Sequence, residues 1–290
     1  MQTDQKHSNR GTLLDRIDAV ARMQDLFAPF LTAWRFRELI SAVLRQDLAA
    51  RFRGSLFGWS WAIIGPLVTL GLYTLTFSSA LRLPVTRSHG SISHYALWVF
   101  AGLIVFNLFA ELCYRAPMLL HEHAARIKTS IYPSEVLAWI ALFRGLVYAG
   151  ISLGVLLVFQ LCLTGRIPLT ILLVPLLLIP LGAMLLGLIW FLSAIGAFAR
   201  DVAHLMITIV PFMMIISPVF YNVSDLPEAL QSLNFLNPLA DAIEIMRALT
   251  LTGTWPSGPA IAWLLIISLA VFRGGYAFFR RYKNILVDVI

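Results

Sequence analysis

Charge is what this chain has least of. Only 13% of its 290 residues are Asp, Glu, Lys or Arg, while 59% are hydrophobic; ordinary soluble domains carry about 25% charged residues. From Gly54 to Leu81 there is no Asp, Glu, Lys, Arg or His, and from Ile167 to Ala199 there is none either. As helices these runs extend about 40 Å or more, beyond the roughly 30 Å hydrocarbon core of a bilayer. With a mean hydropathy of +0.80, they argue against a soluble domain, and several comparable runs make a buried enzyme core helix the poorer explanation. The first run reads as a span rather than a cleaved signal peptide, since it starts beyond residue 50 and no short apolar region with a small-residue cleavage site precedes it. Cysteine is scarce too. Cys113 and Cys162 both lie in apolar runs, which offers neither metal spacing nor a disulfide framework and leaves them as lipid-facing or packing residues. No GxxxxGK[ST] phosphate loop occurs, so the chain does not bind ATP by that route, and HExxH and DxD are missing as well.

What is present reads as an all-α integral membrane protein with six spans. Residues 1–29 form a polar cytoplasmic tail. In segment 30–53, Phe36, Leu39, Ile40, Val43 and Leu44 recur at helical spacing, with Arg35, Glu38, Ser41 and Arg45 away from that stripe. This suits an amphipathic helix lying in the membrane interface or docking on a soluble partner. The transmembrane domain covers 54–279. Its second run, Tyr95 to Leu120, contains Glu111 and Arg115 at i and i+4, a spacing that lets them pair or marks where the helix leaves the bilayer. The third run contains Arg144, and such charges are expected to pair, face the interior or sit at a boundary. Pro175 and Pro180 are expected to kink the fourth run. The fifth, from Val202 to Tyr221, has prolines at 211 and 218.

Between the fifth and last spans, residues 226–252 suggest two helices too short to cross. Asp225 with Glu228 resembles a capping box, Asn237-Pro238 breaks the chain, and Gly253 ends the second piece. The last span runs from about Ala260 to Phe279, and 280–290 trails as a cytoplasmic tail. An even number of spans puts both termini on one side. With the termini in the cytoplasm, that side holds fifteen Lys and Arg residues and the other only Arg82, Arg87, Arg166 and Arg247, as the positive-inside rule requires. The net charge of +7 therefore speaks for membrane topology and not for nucleic acid. His121 and His123 lie two apart in a polar loop, the spacing of a solvated segment and not of a metal site. His204, alone near a span start, reads as interfacial.

The order of motifs resembles a known family. A basic amphipathic helix precedes RFRGSLFGWSWAIIGPLVTLGLYTLTF; then come ARIKTSIYPSEVL, FARDV, SPVFYNVSDLP and LNFLNPLADAIEIMR. Over about residues 30–285 this is similar to the membrane subunit of type 2 export-class ABC transporters, in the branch that exports lipid-linked polysaccharides such as O-antigen. The resemblance implies a bacterial inner-membrane permease built from two copies of this chain and two ATP-binding cassette subunits, which bind ATP and Mg while this chain holds no cofactor. It implies no catalytic residue and no metal. The cytosolic entrance would comprise Arg45, Asp47, Arg51, Arg53 and Gly54, with Gly58 easing the turn. There arginine forks meet the anionic pyrophosphate of the substrate lipid, or simply contact anionic headgroups under the positive-inside rule. Segment 121–135 resembles the coupling element seated in the ATPase subunit, through Arg126, Ile127, Lys128, Tyr132, Pro133 and Glu135; Arg200 and Asp201 resemble a second contact. The hairpin 226–252 resembles an external gate.

Trp59, Trp61, Tyr73 and Phe77 on the first span, with Phe212, Phe220 and Tyr221 on the fifth, either line a sugar-passing channel or serve as interfacial belts and packing. Competing functions are export of capsular polysaccharide, teichoic acid or a small molecule by the same class. A membrane-embedded transferase working on lipid-linked sugars has only scattered candidates, Glu111, His204, Asp225, Glu228, Asp241 and Glu244. A secondary transporter would show an internal repeat with matched unwound half-spans, and neither is convincing here.

Overall fold

The computed structural model describes residues 28–51, 53–79, 92–128, 133–223, 227, 231 and 237–289, and every regular element among them is helical. Residues 28–35 are already helical and lead through Phe36 into α1 (Arg37–Arg51). The apolar stripe faces inward as its spacing requires. Ile40 and Val43 are buried, Phe36 and Leu39 pack beside them, and Arg35, Glu38 and Arg45 are exposed. Phe30 stacks on Phe272 with ring centroids 5.4 Å apart and meets Trp139 edge-on at 5.5 Å. The interface helix is thereby docked on the bundle. It ends at a turn in which Gly54 (φ 81°) and Gly58 (φ 50°) adopt left-handed conformations that cost a side-chain-bearing residue much more.

The remaining helices are α2 (Trp61–Ser79), α3 (Ile92–Arg115), α4 (Leu119–Glu122), α5 (Ala124–Lys128), α6 (Val136–Thr164), α7 (Val174–Phe198), α8 (Asp201–Ile216), α9 (Pro238–Arg247) and α10 (Gly258–Val289). Among the described residues, four segments are long and apolar enough to cross a membrane: Ser93–Glu122, which carries α3 into α4, then α6, Leu169–Phe198 and Gly258–Lys283. Gly58–Leu72 and α8 are shorter apolar helices. Helix α8 stops at Ile216 because Ser217 turns to extended backbone (ψ 142°) ahead of Pro218, the conformation a residue before proline prefers.

Helix α3 is the axis of the fold. In its most apolar stretch 89% of residues are buried, against 22–44% in the other three spans, because α2, α6, α7, α8 and α9 all pack on it. The closest helix pair is α7 with α10. A Cβ on Gly187 would lie 2.2 Å from the Val271 carbonyl oxygen, and one on Gly275 only 1.9 Å from that of Gly187. Small residues let the two backbones touch, which is how membrane helices gain dispersion energy without a hydrophobic drive between them.

Three local expectations change. Pro175 sits at the start of α7, where a missing N–H breaks no helical bond, so only Pro180 lies inside that helix. Segment 280–290 does not trail away: α10 continues to Val289, with Phe279 and Leu286 buried on one side. Nor do Glu111 and Arg115 find their partners in each other; both reach across the fold, as described below.

Candidate functional site

One end of the bundle gathers the charges. The end of α1, the last turns of α3 and the first half of α6 enclose a cleft of about 820 Å³ lined by Asp47, Arg51, Asn107, Glu111, Tyr114, Arg115 and Arg144, with Ala50 and Ala110. Glu111 Oε1 accepts from Arg144 at 3.1 Å and from Arg51 at 3.3 Å. Arg115 reaches Glu122 at 3.4 Å and Asp47 at 3.8 Å. Arg51 also lies over the Tyr148 ring, 4.2 Å from its centroid. Arg144 is buried, with its charge placed against Glu111, as a cation in a span must be. The i, i+4 spacing of Glu111 and Arg115 permitted a local pair, yet α1 and α6 supply partners 60 and 33 residues away.

Of the proposed entrance residues, Asp47 and Arg51 belong to this network, while Arg45, Arg53 and Gly54 are exposed. In segment 121–135, Arg126 and Lys128 are exposed and Ile127 is buried; Tyr132 lies outside the described residues. Glu135 is not at the surface. It is buried, its carboxylate accepts from Lys283 of α10 at 2.9 Å, and its carbonyl accepts from Trp190 Nε1 at 3.2 Å. It ties α6 to α7 and α10, a role that sequence spacing did not display. Arg200 and Asp201 are exposed, with Asp201 in the first turn of α8, where a carboxylate favours the helix dipole.

The opposite end centres on one cation. Arg247, at the end of α9, is 2% exposed. Its Nε donates to the Trp98 carbonyl at 3.1 Å, one Nη to the Val219 carbonyl at 2.7 Å and the other to Glu244 at 2.9 Å. The guanidinium lies over the Trp98 ring, 3.2 Å from its centroid. There is room because residue 102 is glycine; a Cβ would stand 2.8 Å from the arginine. Burial pulls its pKa down to about 10, opposed by Glu244, so it stays charged at neutral pH. Asn237 caps α9 by accepting from the Leu239 N–H at 3.1 Å and donates to Ser217 at 3.0 Å. Tyr95 donates to the Phe220 carbonyl at 2.6 Å. Together these bonds join α9, the start of α3 and the turn after α8. The only signal for this role of Arg247 is an arginine on the buried face of a short apolar-periodic helix.

The aromatics are divided. Trp59 and Trp61 are about half exposed and Phe212 is more so, whereas Phe220 and Tyr221 are partly covered. The Tyr221 hydroxyl donates back to the Ile216 carbonyl. The side chains of Tyr73 and Phe77 lie outside the described residues. Helix α2, which carries Trp61, Tyr73 and Phe77, and helix α8, which carries Phe212, each pack on α3.

The profile of ABC-2 type transporters matches residues 38–251, from the first turn of α1 to the π-helical turn after α9. The chain belongs to the ABC-2 type transporter family. It is therefore a multi-pass membrane protein whose relatives span nearly its whole length. It is 21% identical over 259 residues to the "O-antigen export system permease protein RfbA" of Myxococcus xanthus, covering 89% of this chain and 97% of that one. Two proteins of the same name from Klebsiella pneumoniae are each 23% identical, over 87% of this chain and 95% of theirs.

Proposed function

We propose that this chain is the permease subunit of an ABC transporter that exports a lipid-linked, O-antigen-like polysaccharide across the bacterial inner membrane. The observation that carries the reading is the end-to-end match to O-antigen export permeases. In this reading two copies form the channel, α2 and α8 complete six spans per copy, and both termini are cytoplasmic. The charged end is then the cytosolic entrance. Among the described residues, exposed Arg45 and Arg53 make no ion pair like those that hold Arg51, and they present guanidinium forks to a lipid pyrophosphate.

The chain changes no covalent bond. Energy enters when two ATPase subunits close on ATP, and only a difference in affinity between channel states transmits it. Arg126 and Lys128, with Arg200 and Asp201, form the contact surface for those subunits; Ile127 and Glu135 anchor it from within. Helix α9 is the outer gate. Exposed Trp59, Trp61 and Phe212 offer ring faces to passing sugars.

The experiment is complementation of a deletion strain, with surface polysaccharide and intracellular lipid-linked glycan measured together. The intact chain is expected to restore the first and clear the second. Deleting residues 121–133 is expected to leave ATPase activity in the purified complex but abolish export. Full export by that deletion, or no glycan accumulating in its absence, rejects the proposal.

A further inference from the structure

The charged cleft does not end at its arginines. Asn107 lines it and also lines a second cavity of about 200 Å³, bounded by Gly65, Pro66, Thr69, Phe100, Ile104 and Ser152. Its neighbours from Leu103 to Ala110 are buried, yet Asn107 is exposed, and among the described residues its amide has no hydrogen-bond partner. A side-chain amide offers two donors and an acceptor, and hydrocarbon satisfies none of them. Something polar must therefore reach this point in the middle of a span.

The inner cavity is neutral. Thr69 spends its hydroxyl proton on the Gly65 carbonyl at 2.9 Å and Ser152 on that of Tyr148 at 3.0 Å, which leaves each hydroxyl oxygen as an acceptor. Phe100 supplies an aromatic wall. The volume equals roughly seven waters at liquid density. An unpaired amide, two acceptor oxygens and a ring face suit a neutral polyhydroxylated group. They do not suit a phosphate, which the arginines at the mouth of the cleft hold better.

We propose that Asn107 is a glycan-binding residue at the neck between the charged cleft and the neutral cavity that α2, α3 and α6 enclose. Its amide exchanges hydrogen bonds with sugar hydroxyls, while the charged cleft before it retains the anionic end of the cargo. The proposal rests on the export function argued above.

The test uses the full chain in its deletion strain. In a chain with Cys113→Ala and Cys162→Ser, Asn107→Cys is expected to react with a charged methanethiosulfonate reagent at least tenfold faster than Cys113 does in the chain where Cys162 alone is replaced. Asn107→Leu is expected to reach wild-type membrane levels and lower surface polysaccharide at least tenfold, while Asn107→Gln keeps more than half. Wild-type export together with an unreactive Asn107→Cys, or with unimpaired Asn107→Leu, overturns the role of Asn107 alone. Failure of the wild-type chain to restore surface glycan overturns the export reading and the sugar with it, and the cysteine labelling still reports whether water reaches the neck.

Discussion

The two ends of the bundle are both held by arginine, but in opposite ways. At the α9 end, Arg247 is sealed, donates to two backbone carbonyls and one carboxylate, and covers an indole ring. At the α1 end, Arg51, Arg115 and Arg144 share carboxylates at 3.1–3.8 Å around an open cleft, and the Arg51 side chain is 48% exposed. Backbone acceptors cannot be traded for others without unfolding a turn, whereas exposed carboxylates exchange partners with little loss. The difference suggests a fixed closure on one side and an adjustable one on the other.

Replacing Arg247 attacks the fixed end and should have the largest effect. Arg247→Met leaves the Trp98 and Val219 carbonyls without their donor, and breaking a buried charge–hydrogen-bond network costs about 3 kcal/mol or more. The expected outcome is a clear drop in the thermal midpoint of the detergent-purified chain, unchanged by added salt. A midpoint within error of wild type would place the closure elsewhere.

Glu111→Gln attacks the adjustable end. Arg144, nearly buried, loses its anion, while Arg51 can turn to solvent, so a loss of about 1–2 kcal/mol is expected. Unlike the first variant, its difference from wild type should shrink as ionic strength rises, because salt screens the half-exposed Arg51–Glu111 pair that only wild type keeps. Equal salt dependence in both variants would erase the contrast between the ends.

The smallest effect sharpens the α9 end. Burial, with help from Glu244, raises the Asp241 pKa from 3.8 to about 6. A raised carboxyl pKa favours the folded state below about pH 4, and that advantage is lost as pH climbs through 6. Asp241→Asn should therefore be more stable than wild type at pH 7, by about 1 kcal/mol once partial exposure is allowed for, and equal to it near pH 4. The comparison is read from thermal midpoints at the two pH values.

Much of the helical layout was legible because its causes are local. The stripe of α1 is a matter of spacing, and the ends of the α9 segment follow from an Asn cap, a proline in the first turn and a left-handed glycine at 253. The site was less legible because its contacts are distant. Glu111 had a plausible partner four residues on and found better ones across the fold. Arg247 reaches partners 149 and 28 residues away. Glu135 looked like part of a docking surface until Lys283 folded back on it, which follows from the continuation of α10. A signal for that continuation was present: Phe279, Tyr282 and Leu286 repeat at helical spacing through a stretch whose charges suggested a tail.

The contact between Gly187 and Gly275 bears on how such a subunit moves. Helices that touch backbone to backbone at one point cannot roll past one another there without first separating, and on the same face Trp190 is wedged against Phe272 and Tyr276. In mechanical terms α7 and α10 form a stator. The working stroke has to be sought in α2 and α8, which rest on α3 through side chains and can trade one set of contacts for another while the pair behind them stays still.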